Sequence, residues 1–254
     1  MLKSIVSSLR QAFSSHGFWV GVTGIILCIL FSSVNDILGA FRAEKLIENG
    51  FHAGLIATAL SADAFTLALP ILCVLPYTTS FVDDVKSGFA KEYLPRTTVR
   101  SYLAGKIVAC ALSGGAVLAI GVAFSYAMSA LTFTPMEAAL KSGEIPVNYL
   151  SEIVGKTAIC MFSGAFWSVL GMTSAALTNS RYMAYASPFV VYYVLIILHE
   201  RYFPNFFVLY PKEWLNPQSE WMFGNWGIVL LLAELTVLAA FCFWAAAKKR
   251  LASI

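Results

Sequence analysis

The chain has 254 residues, 59% of them hydrophobic and 12% charged, with a mean hydropathy of +0.74. A soluble domain carries about 25% charged residues, and apolar surface on this scale is tolerated in lipid but not in water. The net charge of +3 is small and no basic, aromatic-interleaved surface is present, which argues against nucleic acid as a partner.

Crossing a bilayer takes about 20 mostly apolar residues. Six runs reach or approach that length: 18–38, 55–80, 103–131, 153–177, 184–198 and 226–247. They predict an all-α membrane protein whose 254 residues form one transmembrane domain of six helices.

Residues 1–17 come first. Lys3 and Arg10 precede an apolar run, as in a secretory signal, but the run has span length and no A-x-A site follows, so it reads as a retained first span. Within 3–16, Ile5, Leu9, Ala12 and Phe13 share one helical face, and Lys3, Ser7, Arg10 and Ser14 share the other. That pattern predicts a short helix lying in the membrane interface; the alternative is a frayed tail. Gly17 and Gly21 form a G-x-x-x-G at the start of span one, a spacing that lets two helices approach closely and is read here as a dimer seam. Gly114 with Gly121, and Gly164 with Gly171, recur at seven-residue spacing and read as packing seams. Pro70 is expected to kink span two.

Loop 81–102 is rich in charge of both signs. Beyond span five, loop 199–225 carries Tyr202, Phe203, Phe206, Phe207, Tyr210, Trp214, Trp221 and Phe223, broken by Pro204, Pro211 and Pro217. It is expected to hold short re-entrant helices; an aromatic belt at the membrane boundary and a lid over an exit path are the alternatives.

Basic residues set the orientation. With six spans, Lys3, Arg10, Lys86, Lys91, Arg96, Arg100, Lys106, Arg181, Lys248, Lys249 and Arg250 share a side with both termini. Arg42, Lys45, Lys141, Lys156, Arg201 and Lys212 fall on the other side, among acids such as Glu44, Glu48, Glu137, Glu144, Glu152, Glu200, Glu213 and Glu220. Both termini and loop 81–102 are therefore expected in the cytoplasm.

No catalytic constellation is visible. Gly155-Lys156-Thr157 ends like a phosphate-binding loop, but Leu150 stands where its first glycine belongs. His16, His52 and His199 are isolated, and Cys28, Cys73, Cys110, Cys160 and Cys242 all lie in apolar runs, which speaks against a metal site or disulfide framework. Charges inside spans are costly and so informative. Glu234 lies near the middle of span six; Glu152 and Lys156 sit near the outer end of span four, within reach of the interface. Asp63 is either buried in span two or caps a helix starting at Ala64. Glu234 and Asp63 are the candidate substrate-path groups, with a structural polar contact as the alternative for Glu234.

Phe81, Asp84 and Gly88, then Pro95, Thr97 or Thr98, Arg100, Tyr102, Gly105 and Lys106, form a run that resembles the cytoplasmic loop of ABC type-2 transporter permeases. The six-span layout, inside termini, interfacial N-terminal helix and long outer loop resemble that family as well. The resemblance implies that loop 81–102 carries a coupling helix seated on a separate ATPase subunit, which binds ATP and Mg; this chain would bind no cofactor. The implied coupling residues are Phe81, Asp83, Asp84, Lys86, Gly88, Phe89, Lys91, Glu92, Arg96 and Arg100, with Leu94 a further anchor. It also implies a second permease copy, a bacterial plasma membrane and export of a drug, peptide, lipid or glycan. The rival expectations are an ordinary positive-inside loop, a proton- or ion-coupled transporter using Glu234 and Asp63, and a membrane-embedded scaffold or enzyme. The sequence lacks the paired broken helices that would favour the coupled transporter.

Overall fold

The computed structural model describes residues 2–42, 47–138, 149–217 and 219–252. Glu44, Lys45, Lys141, Glu144 and the side chain of Arg96 lie outside the described residues. Every regular element described is helical; among the described residues the one β-type pairing is an isolated bridge between Ile47 and Glu137.

The helices are α1 (Leu2–Phe13), α2 (His16–Ser32), α3 (Val34–Arg42), α4 (Phe51–Ser61), α5 (Asp63–Leu72), α6 (Ser80–Lys86), α7 (Phe89–Tyr93), α8 (Val99–Phe133), α9 (Tyr149–Thr178), α10 (Arg181–Arg201), α11 (Pro211–Leu215) and α12 (Asn225–Leu251). Four of them, α8, α9, α10 and α12, are long and apolar enough to cross a membrane. The count rises to six if α1 with α2, bent by 53°, and α4 with α5, bent by 69°, each make one span.

Local chemistry explains the breaks. Ser15 caps α2 by accepting from the Phe18 N–H, while its hydroxyl reaches the carbonyls of Ala12 and Pro76. Run 18–38 is thus not one helix: α2 stops at Ser32 and α3 starts at Val34. Run 55–80 is not continuous either. Ala62 adopts an extended conformation (φ −71°, ψ 143°), and α5 starts after it. The carbonyls released at the end of α4 find donors elsewhere: Lys156 Nζ reaches the Ala57 oxygen (3.3 Å), and Asn216 Nδ2 reaches the Ser61 oxygen (2.8 Å). Outer segment 199–225 holds only short helical pieces among its described residues, a 3-10 turn at Phe207–Leu209 and α11. Its α11 has five residues, about 7.5 Å of helix. It packs inward, burying Trp214 against Trp167 and Phe166 of α9.

α8 and α9 form the central pair. Gly114 and Gly164 face each other so closely that a Cβ on either would press on the other's carbonyl. Gly17 and Gly21 are likewise used within the chain, which corrects the dimer-seam expectation: a Cβ on Gly17 would strike the Leu75 carbonyl, and one on Gly21 would meet Leu72 and Val117. α1 lies across the start of α8, with Ser4 and Ser8 against Gly105, so its inward stripe is selected for smallness as well as apolarity. The buried core divides in two. One cluster gathers Ala12, Tyr77, Phe81, Tyr102, Phe243 and Ala247 at what is called below the basic end. The other runs from Phe18 through Leu118 and Trp167 to Trp214.

Candidate functional site

The segment after α5 builds the basic end. α6 and α7 are short helices joined at Gly88, whose φ of +80° strains any side-chain-bearing residue. A 3-10 turn at Leu94–Arg96 follows, and Thr98 caps α8 by accepting from the Ser101 N–H. α6 is amphipathic in an unusual sense: one face is apolar and ionic contacts fasten its flanks. Phe81 and Val82 are fully buried, with Phe81 edge-on to Phe243 of α12 at 5.3 Å. Asp84 pairs with Lys106 of α8 at 2.7 Å and accepts from the Tyr102 hydroxyl at 2.7 Å. Lys106 also donates to the Tyr77 hydroxyl (3.2 Å) and the Ser80 carbonyl (3.5 Å). Tyr77 in turn donates to Gln11 Oε1 of α1 at 3.0 Å. Asp83 pairs with Arg181 at the start of α10 and accepts from the Thr79 hydroxyl.

The predicted coupling residues therefore separate into two sets. Phe81 and Asp84 face inward and hold α6 in place. Asp83 is ion-paired. Lys86, Phe89, Lys91, Glu92 and Arg100 are exposed, with Phe89 stacked on Tyr93 at 5.3 Å. Sequence reasoning missed Gln11, Tyr77 and Arg181 as partners, and it used Lys106 only in the orientation count and as part of a motif. The available signal was a lysine at the fourth position of the run 103–131, preceded by a loop with two adjacent acids.

At the opposite end, Lys156 bridges Glu152 (2.9 Å), Ser61 Oγ (2.7 Å) and the Ala57 carbonyl at the α4–α5 break. Asp63 opens α5 with its side chain 84% exposed, 3.8 Å from Lys212. Glu137 accepts from the backbone N–H groups of Gly50 and His52 and pairs with the His52 ring at 2.7 Å. Burial raises the Glu137 carboxyl, but the bonds from His52 and Gly50 outweigh it and hold the group below its ordinary value of 4.5.

Glu234 is exposed on the outward face of α12, between Leu230, Val237, Leu238 and Phe241. Among the described residues it makes no ion pair, and it points away from the core of its own chain. Asp63 lies at the surface of the opposite end. No group of three His, Cys, Asp or Glu able to hold a metal exists among the described residues. Comparison with protein-family models, with curated proteins and with solved structures finds no match for this chain.

Proposed function

We propose that this chain is the membrane permease of an ATP-driven exporter of the ABC type-2 kind, working with a separate ATPase in a bacterial plasma membrane. In this reading α1 is the interfacial helix, α2 opens the first span and the bent pair α4–α5 makes the second, giving six. The basic end then faces the cytoplasm, because the lysines and arginines gather there. The observation that carries the reading is the two-sidedness of the α6–α7 segment. Its inner face is fastened to α8, α10 and α12, and to α1 by way of Lys106 and Tyr77, while Lys86, Phe89, Lys91 and Glu92 are left exposed around a glycine joint. A partner that pushed on the exposed face would move four helices through the fastened one. ATP and Mg belong to that partner.

A second copy completes the transporter in this proposal. α12 and α10 support it, since only 22% and 28% of their apolar windows are buried. Glu234 would then meet either the second copy or a water-filled path between copies, because an ionised carboxylate in lipid costs at least about 2.5 kcal/mol. The ion-coupled alternative gains little from the α4–α5 break: Lys156 donates to the Ala57 carbonyl and the Ser61 hydroxyl there, and Asn216 donates to the Ser61 carbonyl.

Co-expression with the ATPase of a neighbouring reading frame tests the proposal. The two should co-purify, and Glu92→Lys should reduce substrate-stimulated ATP hydrolysis at least tenfold while leaving the permease inserted. Outside labelling of Lys91→Cys in intact cells, or normal coupling in Glu92→Lys, would overturn it.

A further inference from the structure

We propose that the cleft at the basic end, between α6 and the C-terminal ends of α9 and α12, binds a phosphate group carried by an anionic lipid headgroup or by a soluble phosphate. The cleft has a volume of about 560 Å³ and is lined by Val85, Ala176, Leu177, Asn179, Ala246, Lys249 and Arg250. Its walls are apolar and its mouth is cationic, as a site for a headgroup with attached acyl chains requires.

Charge around the cleft is one-sided. The nearby acids are already neutralised: Asp83 by Arg181 and the Thr79 hydroxyl, Asp84 by Lys106 and the Tyr102 hydroxyl. Lys249 on the rim, Lys248 before it and Lys86 directly after Val85 are all exposed and form no ion pair among the described residues. Helix ends alone do not account for this surplus. Arg250 Nη2 already donates to the Leu177 carbonyl at 3.2 Å, serving the C-terminal end of α9. Asn179 ends α9 at φ 55°, and its Oδ1 is buried without a hydrogen-bond partner. Oxygen and nitrogen of such an amide exchange by a flip, so Asn179 can present a donor to a phosphate oxygen beside Lys249. Because Val85 forms one wall, a bound phosphate would tie α6 to α9 and α12. The chemistry does not depend on an ATPase partner; only a lipid source depends on the basic end lying at a membrane surface.

The test uses the full chain purified in detergent, without any ATPase. Thermal unfolding and native mass spectrometry are followed in mixed micelles containing phosphatidylglycerol or phosphatidylcholine, and separately with inorganic phosphate. Phosphatidylglycerol should bind and raise the unfolding temperature, and phosphatidylcholine should not. Lys249→Gln, an exposed change that touches no packing, should weaken that binding about fivefold, as expected for one basic residue near an anionic surface (~1 kcal/mol). Lys212→Gln, at the opposite end, should leave it unchanged. A response to phosphatidylglycerol alone assigns the phosphate to a lipid, and a response to inorganic phosphate as well assigns it to a general phosphate site. No response to either, or equal responses in Lys249→Gln, Lys212→Gln and the parent, would overturn the proposal.

Discussion

Two lysines stand inside the bundle, one toward each end, and they do different work. Lys106 of α8 has 4% of its side chain exposed and meets a full carboxylate, Asp84, across 22 positions of sequence. The rings of Tyr77 and Tyr102 lie 4.9 and 5.6 Å from its ammonium. Lys156 of α9 is 21% exposed; its carboxylate, Glu152, is one turn away on the same helix and half exposed. Its remaining bonds go to Ser61 and to a carbonyl of the broken α4–α5 span. Lys106 thus closes a charge, whereas Lys156 closes a gap in backbone hydrogen bonding. A buried pair holds its elements rigidly because neither partner survives alone, while a half-exposed lysine on carbonyls can be replaced in part by water. The basic end is therefore the stiff end, and the α4–α5 break is where the bundle can give.

Removing Lys106 should have the largest effect. Lys106→Met leaves Asp84 with only the Tyr102 hydroxyl, and breaking a buried pair from one side costs about 3–5 kcal/mol. The expected result is a marked loss of thermal stability in detergent. Asp84→Asn in the same chain should restore a large part of it, because the unpaired charge is then gone. If Lys106→Met were no more damaging than Lys86→Met, a change at an exposed position, the stiff-end assignment would be wrong.

Lys156→Met should be milder and local. It removes charge-assisted bonds worth about 1.5–3 kcal/mol, but Glu152 stays solvated and water can reach the break. Amide hydrogen exchange should quicken around Ala62 to Thr66 and hardly change in α6. Faster exchange spread evenly over α4, α5 and α6 would erase the contrast between the ends.

Hydropathy made the class legible and the breaks illegible. The runs over α8, α9, α10 and α12 were readable because each is one long helix with no competing cap. Spans one and two were not, because Ser15, Ser33 and Ala62 look unremarkable among apolar neighbours. Their breaks depend on partners far along the chain: Pro76, Lys156 and Asn216. Loop 81–102 was found from its charges, but sequence could not tell Asp84, which faces Lys106, from Glu92, which faces outward. A five-residue helix has too few turns for periodicity to assign its faces. Gly17 and Gly21 were read correctly as a close approach and wrongly as one between copies, since spacing says nothing about which chain supplies the neighbour. Glu234 was expected to need a polar environment, and its exposure on α12 moves that environment outside the single chain.

Glu137 gives the smallest and most tunable effect. It is a third fastener, placed after α8, where it ties the residues entering α4 to the end of the central helix through Gly50 and His52. Its side chain is 5% exposed, and its titration lies within reach of an ordinary pH series. Burial alone would raise its pKa; the bonds from His52 and Gly50 win and lower it below 4.5. The folded chain then binds fewer protons at this site than the unfolded chain, so its contribution rises with pH. That contribution is full above the unfolded value and lost as pH falls through the depressed folded one. Glu137→Gln keeps the shape and removes the titration. It should lower stability by about 1 kcal/mol at pH 7, the scale of one ordinary hydrogen bond, because the amide oxygen can still accept from a backbone N–H. The gap between parent and variant should narrow from pH 5 to pH 3, and taking the difference cancels every other carboxylate. A gap that stayed constant over that range would mean the carboxylate charge contributes nothing, leaving shape alone to join α8 to the entry of α4.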